Sequence, residues 1–379
     1  MSAPLNKPRH LKIRNAQLAL RTIRDNPGIS RAQLSRECGM SKPTASLAAH
    51  YLLDRNLIVE SATQNSAVGR NAIGLSLNES SAWLLGIVVD VKQCRVFAGT
   101  LGGKMLARII AFETGSSWKG FLQNLENAIN DLCSQFQTQP LGCAVSMPGI
   151  TNDTTGDIIY CPNIHFLDGK NAVAHLRNRH SFPIIQIQEV RAIAFGALSR
   201  KSSSRYTNIF CVEIGQGVGG ALVVDGALHA GSHFSAGEIG HVLVADNNRI
   251  CGCGRTGCLE TLLGEQWLIQ SWVEQFGREE KLATFAEICT QYPDEARAVV
   301  FAALPALTAA LQYVNAAFDP DTILLHGAVW NAIEGSAEHV AESIGNKTPV
   351  MHFSGGRSAG LMALIFEHII IKNLEEETV

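Results

Sequence analysis

His241, Cys251, Cys253 and Cys258 crowd into one short stretch of the chain. One imidazole and three thiolates fill a tetrahedral zinc shell. Gly252, Gly254 and Gly257 let the backbone curl so that closely spaced sulfurs face one ion. A full shell leaves no position for water, so the expected cofactor is a structural Zn2+, one per chain, and not a catalytic metal. The remaining cysteines (Cys38, Cys94, Cys133, Cys143, Cys161, Cys211 and Cys289) read as inert core thiols.

A second chemistry is electrostatic. Residues 1–78 hold eleven Lys and Arg against Asp25, Glu37, Asp54 and Glu60, so a head of +7 precedes a body of −10 in a chain of net charge −3. Such a division predicts that only the head meets a polyanion; a solvated basic face is the alternative. The elements that would present these charges can be read locally. His10–Asn26 is an amphipathic helix stopped at Asn26-Pro27-Gly28. Ser30 and Gln33 have the spacing of a capping box for a short second helix. After the Gly39 turn, Ser41 caps a third helix, with Pro43 in its first turn. Two short helices joined by a glycine turn form a helix-turn-helix. Its second helix would enter the major groove of a double-stranded DNA operator through Ser41, Lys42, Thr44 and Ser46, with His50 two turns further on. Arg31 belongs to the same expected face. Leu57–Glu60 and the alternating Ile73, Leu75 and Leu77 form a wing, with Arg70 near its tip.

The body must then hold whatever the head responds to. Trp83–Asp90, Cys94–Leu101, Lys104–Phe112, Gly142–Ser146, Ile209–Ile214 and Thr322–His326 read as strands. Helices are expected at about Trp118–Phe136, at Arg297–Ala317 with a break or kink near Pro305, and at Ala359–Lys372. Strands alternating with helices define an α/β fold, whose ligands lie at strand carboxyl ends. The domain reading is a winged helix-turn-helix over 1–78, a first α/β lobe over 79–195 and a second over 196–379. Gly215–Gly220 after a strand is either a phosphate cradle or a tight hairpin. The composition, 46% hydrophobic and 17% charged, is that of a globular protein. The start shows no export signal, and the chain shows no uncharged apolar run long enough for a bilayer, so no membrane partner and a cytoplasmic location are expected.

Gly237-Glu238-Ile239-Gly240-His241, followed by Cys251-Gly252-Cys253-Gly254-Arg255-Thr256-Gly257-Cys258-Leu259-Glu260, resembles the signature of the ROK family of repressors, open reading frames and sugar kinases. Val145–Gly149 resembles that family's sugar-loop strand, and the winged helix with Gly69-Arg70 resembles its repressor branch, of the N-acetylglucosamine or glucose repressor type. The resemblance spans nearly the whole chain. It implies a two-lobed actin-like body, a structural zinc, a sugar-like effector in the interlobe cleft, and a homodimer or homotetramer. Carried over by position, the effector contacts are Gly149, Asn163, Glu238, His241 and Glu260, with Gln188 and Glu189 beside them. Carboxylates and an imidazole suit the hydroxyls of a polyol.

The chain departs from the kinase pattern. Where that pattern has a glycine-rich phosphate loop, this chain reads Asp90-Val91-Lys92-Gln93-Cys94-Arg95, without a glycine. The pair expected to be Asn-Asp, with the aspartate as general base, is Gln188-Glu189. Leu325-His326-Gly327-Ala328 lacks the double glycine near the adenosine. A displaced base forfeits rate, because proton transfer depends on geometry. The expectation is a regulator on an inverted-repeat operator, without enzymatic activity. An active or bifunctional ATP-dependent sugar kinase is the alternative, and control by a protein partner a further one.

Overall fold

The computed structural model describes residues 8–62, 73–199, 206–244, 247–278, 282–345 and 347–376. The head is built from helices Pro8–Asp25, Arg31–Glu37 and Lys42–Asp54. A three-stranded antiparallel sheet completes it, with Ile73–Leu77 between Ile29–Ser30 and Ile58–Ala62. The caps behave as their residue types dictate. The Ser30 side chain accepts from the Gln33 backbone N–H, and the Gln33 side chain accepts from the Ser30 N–H. Ser41 accepts from the Thr44 N–H, with Pro43 in the first turn.

Each lobe is a five-stranded mixed sheet. In the first, Trp83–Val88 lies at the centre, parallel to Cys143–Met147 and antiparallel to Gln93–Thr100; Ile184–Gln188 and Met105–Glu113 form the edges. Period-two alternation sends Trp83, Leu85 and Ile87 to one face, against helix Trp118–Cys133. Leu84 and Val88 go to the other, where they share a core with the C-terminal helix and the head. In the second lobe Ile209–Ile214 is central, antiparallel to Val218–Val224 and parallel to Thr322–His326. Gly215–Gly220 is thus the tight-hairpin alternative, closed by Gly215 N–H donating to Gly217 O at 2.9 Å. The helix expected to be broken or kinked near Pro305 is unbroken, Pro293–Phe318, with Pro305 inside it. It is long and apolar enough to cross a membrane by length and composition, and its Val300, Leu304, Leu307 and Leu311 are buried in the second lobe's core.

Two helices join the lobes. Glu189–Leu198 leaves the last strand of the first sheet and packs Val190, Ile193 and Ala197 on the second. The tail runs without interruption from Arg357 to Glu376, and its Phe366–Ile370 segment is a π-helical turn. The two cross through glycine: a Cβ on Gly196 would sit 3.1 Å from the Gly360 Cα, and one on Gly360 would run into the Ala192 carbonyl. An ordinary helical Gly→Ala change stabilises by about 1 kcal/mol. Here the added methyls have no room, so Gly360→Ala should reverse the sign and destabilise by about 1–3 kcal/mol. Chemical denaturation checks this; a stabilised variant would show that the crossing is loose.

Candidate functional site

The strand ends of both sheets converge on a cleft between the lobes. Gly149, Asn163, Gln188, Glu189, Glu238, His241 and Glu260 all line it, as do Asp90, Glu213 and Arg357. Gly149 has φ 81°, and a Cβ there would press on Tyr160 O and Cys161, so only glycine fits the wall. Gln188 contributes less than its position suggests. Its Oε1 accepts from Val190 N–H at 2.9 Å and Arg191 N–H at 3.0 Å, capping the helix that follows. Glu260 is partly committed too, accepting from Val218 N–H at 3.0 Å.

Arg357 is the residue that local sequence reasoning missed. Its guanidinium lies 3.0 Å from Asp90, 3.1 Å from Glu189 and 2.9 Å from Glu213. One cation cannot neutralise three carboxylates. Burial pushes Glu189 up to about 8, against the pull of Arg357 and with the push of Glu213, Asp90 and Glu238. Arg357 itself is held above the usual arginine range, because the three carboxylates outweigh the burial that opposes its charge. Nothing in the local pattern around Arg357 marks it, since each of its partners comes from a distant segment.

Across the cleft mouth the lobes touch directly. Lys92 donates to Ala283 O at 3.0 Å and lies 3.6 Å from Glu265. Tyr160 donates to Gly252 O at 3.0 Å. The loop expected to have lost its phosphate-binding glycines therefore ties one lobe to the other.

Gly252 belongs to the thiol cluster. The donor atoms of His241, Cys251, Cys253 and Cys258 all lie within 4.8 Å of one another. Cys251 Sγ is 3.5 Å from His241 Nδ1, and Cys253 Sγ is 3.6 Å from Cys258 Sγ. Ligand atoms on a tetrahedral zinc stand roughly 3.5–3.8 Å apart, given Zn–S of about 2.3 Å and Zn–N of about 2.0 Å. The donor set and spacing fit such an ion. Arg255 Nε donates to Cys253 Sγ at 3.4 Å, which favours a thiolate there. The other ring nitrogen of His241 faces the cleft, 3.8 Å from Glu238. Burial pushes Glu238 up to about 7, opposed by Arg191 and helped by Glu260.

On the head, Lys42, Ser46 and His50 are exposed on the third helix. His50 lies 3.6 Å from Asp54. Ser41 and Thr44 are bound to each other in the cap at 2.8 Å, and Arg31 is ion-paired with Glu60 of the wing, so these three are less free than expected. Arg70 lies outside the described residues. Leu47, 64% exposed, stands on the same face; its apolar character hid it among core leucines in the sequence.

A winged helix-turn-helix carried on a two-lobed, sugar-kinase-like body defines the architectural class. The chain belongs to the ROK family: that family's sequence profile matches residues 91–354. The xylose repressor of Bacillus subtilis (strain 168) is 24% identical over 94% of this chain and 96% of that protein. The DNA-binding transcriptional dual regulator NagC of Escherichia coli (strain K12) is 25% identical over 65% of this chain and 62% of NagC. A crystal structure of a ROK family transcriptional regulator, a homolog of the E. coli MLC protein, matches with TM-score 0.77 at 22% identity, covering 97% of this chain and 98% of the other. A ROK glucokinase from Streptomyces griseus, in complex with glucose and AMPPNP, matches with TM-score 0.65 at 17% identity, over 74% of this chain and 97% of that one. The two structures share the fold.

Glu189 gives a pH test. Its folded-state pKa stands above the unfolded carboxyl value. Its contribution to stability is therefore fully present below the unfolded pKa of about 4.3 and lost as pH rises toward the folded value. Relative to Glu189→Gln, the wild type should lose stability between pH 5 and 8 and change little beyond 9. Urea denaturation across that range checks it; a gap that widens in favour of the wild type would contradict the assignment.

Proposed function

We propose that this chain is a DNA-binding transcriptional repressor whose kinase-like cleft senses a small polyol and does not transfer phosphate. The observation that carries this reading is the Arg357 cluster. A general base must be unprotonated and free to take a proton. Glu189 is paired with a guanidinium at 3.1 Å and held up to about 8 by burial. The adjoining Asp90 is bound to the same guanidinium, and Lys92 is spent on the opposite lobe. Little is left to grip a nucleotide. The relatives named as a xylose repressor and as a DNA-binding transcriptional dual regulator support the regulatory half of the reading.

The cleft lining also bears on the effector. Asp90, Glu213 and Glu260 face it against one arginine, beside Glu189 and Glu238, which burial pushes toward the protonated form. A phosphate would be repelled at close range in a poorly solvated space. We therefore assign an uncharged or amine-bearing polyol to the cleft and not a sugar phosphate. In a thermal-shift series, D-xylose, N-acetylglucosamine and D-glucosamine should include a stabilising ligand, while the 6-phosphates of the two hexosamines should give no shift. A response confined to the phosphates would overturn the assignment.

His241, Cys251, Cys253 and Cys258 would hold one structural zinc per chain, which supplies cross-linking and no chemistry to a substrate. Cys253→Ser should lower the metal content from one zinc per chain toward zero and lower the melting temperature. A metal-free but equally stable wild type would refute the assignment.

For the head, a double-stranded inverted-repeat operator read by a homodimer or homotetramer fits the exposed Lys42, Ser46, Leu47 and His50. Leu47 is suited to a thymine methyl. Lys42→Ala should weaken operator binding and reduce the salt slope by about one, as should Arg70→Ala. Wild-type affinity for both at fixed salt would sink the head assignment. ATP-dependent phosphorylation of a sugar by the purified chain, abolished by Glu189→Gln, would instead establish the kinase alternative.

A further inference from the structure

The tail helix that begins at Arg357 in the cleft ends against the head. Between Arg357 and Ile371 it spans about 21 Å at 1.5 Å per residue. At its far end Gln17 donates to Ile371 O at 2.9 Å, and Tyr51 donates to Leu374 O at 3.4 Å. Glu367 takes Arg21 at 2.7 Å and Arg24 at 3.1 Å, while the Arg24 guanidinium lies 4.3 Å from the Phe366 ring centre. Ile365, Ile369, Ile370 and Leu374 share one buried core with Ile13, Leu20, Ile23 and Leu52 of the head. The body and head thus meet on an element whose first residue is clamped in the cleft.

We propose that this helix is a rigid rod carrying the state of the cleft to the head, with Arg357 as its cleft-end contact and Glu367, Ile371 and Leu374 as its head-end contacts. The proposal rests on the reading of the cleft as an effector site and the head as a DNA reader. Three features give it physical content. A ligand that takes one carboxylate from the cluster redistributes the buried guanidinium between the two that remain, on different lobes or elements, and buried ion pairs are strict about geometry. A ligand that engages Asp90 or Glu189 therefore changes what Arg357 can hold, and the change bears on the first turn of the helix that Arg357 opens. The glycine crossing at Gly196 and Gly360 provides a close, side-chain-free contact about which the rod can pivot. The head-end contacts are charge-assisted and packed, so the rod and the first head helix move together. The ligand then biases the head by as much as its affinity differs between the two rod positions.

The test needs no ligand. Hydrogen–deuterium exchange is followed on the full-length chain for the wild type, Arg357→Met, Glu367→Gln and the double variant. Arg357→Met should speed exchange about tenfold in the helix Pro8–Asp25, and Glu367→Gln should speed it in the first turn after Arg357, by reciprocity. The double variant should fall short of the product of the two single effects, as coupled sites do. Arg357→Lys, which keeps the charge but not the fork, should show a smaller change of the same kind and serves if the methionine variant does not fold. Head exchange identical to wild type in a folded Arg357 variant, or effects that simply multiply, would overturn the rod. A head that responds to Arg357 but binds no DNA would sink the regulator reading and leave the rod standing.

Discussion

The arrangement of both lobes depends on how one buried cation is satisfied. Arg357 meets Asp90 at the end of the first lobe's central strand, Glu189 at the start of the crossover helix, and Glu213 on the second lobe's central strand. Each partner rides on a different element, so the cluster exists only when both sheets, the crossover and the tail are in place. Ion pairs of this kind contribute little net stability when compared with apolar packing, but they are strict about geometry. The cluster therefore acts as a registration point for the lobes more than as a source of stability.

His241 plays a comparable part on the other wall. One ring nitrogen faces the thiols and the other faces Glu238. Tyr160 ties the same loop to the first lobe through Gly252. The wall of the cleft is thereby braced by the small loop that carries the thiol cluster, and the carboxylates on it are positioned by backbone contacts such as Val218 N–H on Glu260. Pre-positioned polar groups on rigid supports lose little freedom when a ligand arrives.

Much of this was legible in the sequence where the signal is local. The Ser30–Gln33 box, the Ser41 cap with Pro43, and the thiol cluster each depend on residues a few positions apart, and the structure has them. The family signature brought Glu238, His241 and Glu260 to one cleft. What stayed hidden depends on distant pairs. Arg357 finds its partners far along the chain, Arg31 finds Glu60 only once the wing folds, and the Gly196–Gly360 crossing joins two helices from opposite ends of the body. Leu47 was hidden for a different reason: helical periodicity shows which residues are apolar, not which of them the fold leaves outside. Near Pro305 the expected break does not occur, because packing on both sides carries the helix through the proline.

The π-helical turn at Phe366–Ile370 has a consequence for how such chains can diverge. A π-turn is equivalent to one residue inserted into an α-helix, and one residue turns everything beyond it by about 100° around the axis. Ile371 and Leu374, which share a core with the head, lie just beyond that extra rotation. Loss or gain of a single residue there would re-aim these two side chains against the head, so the angle between reader and sensor is set by counting residues.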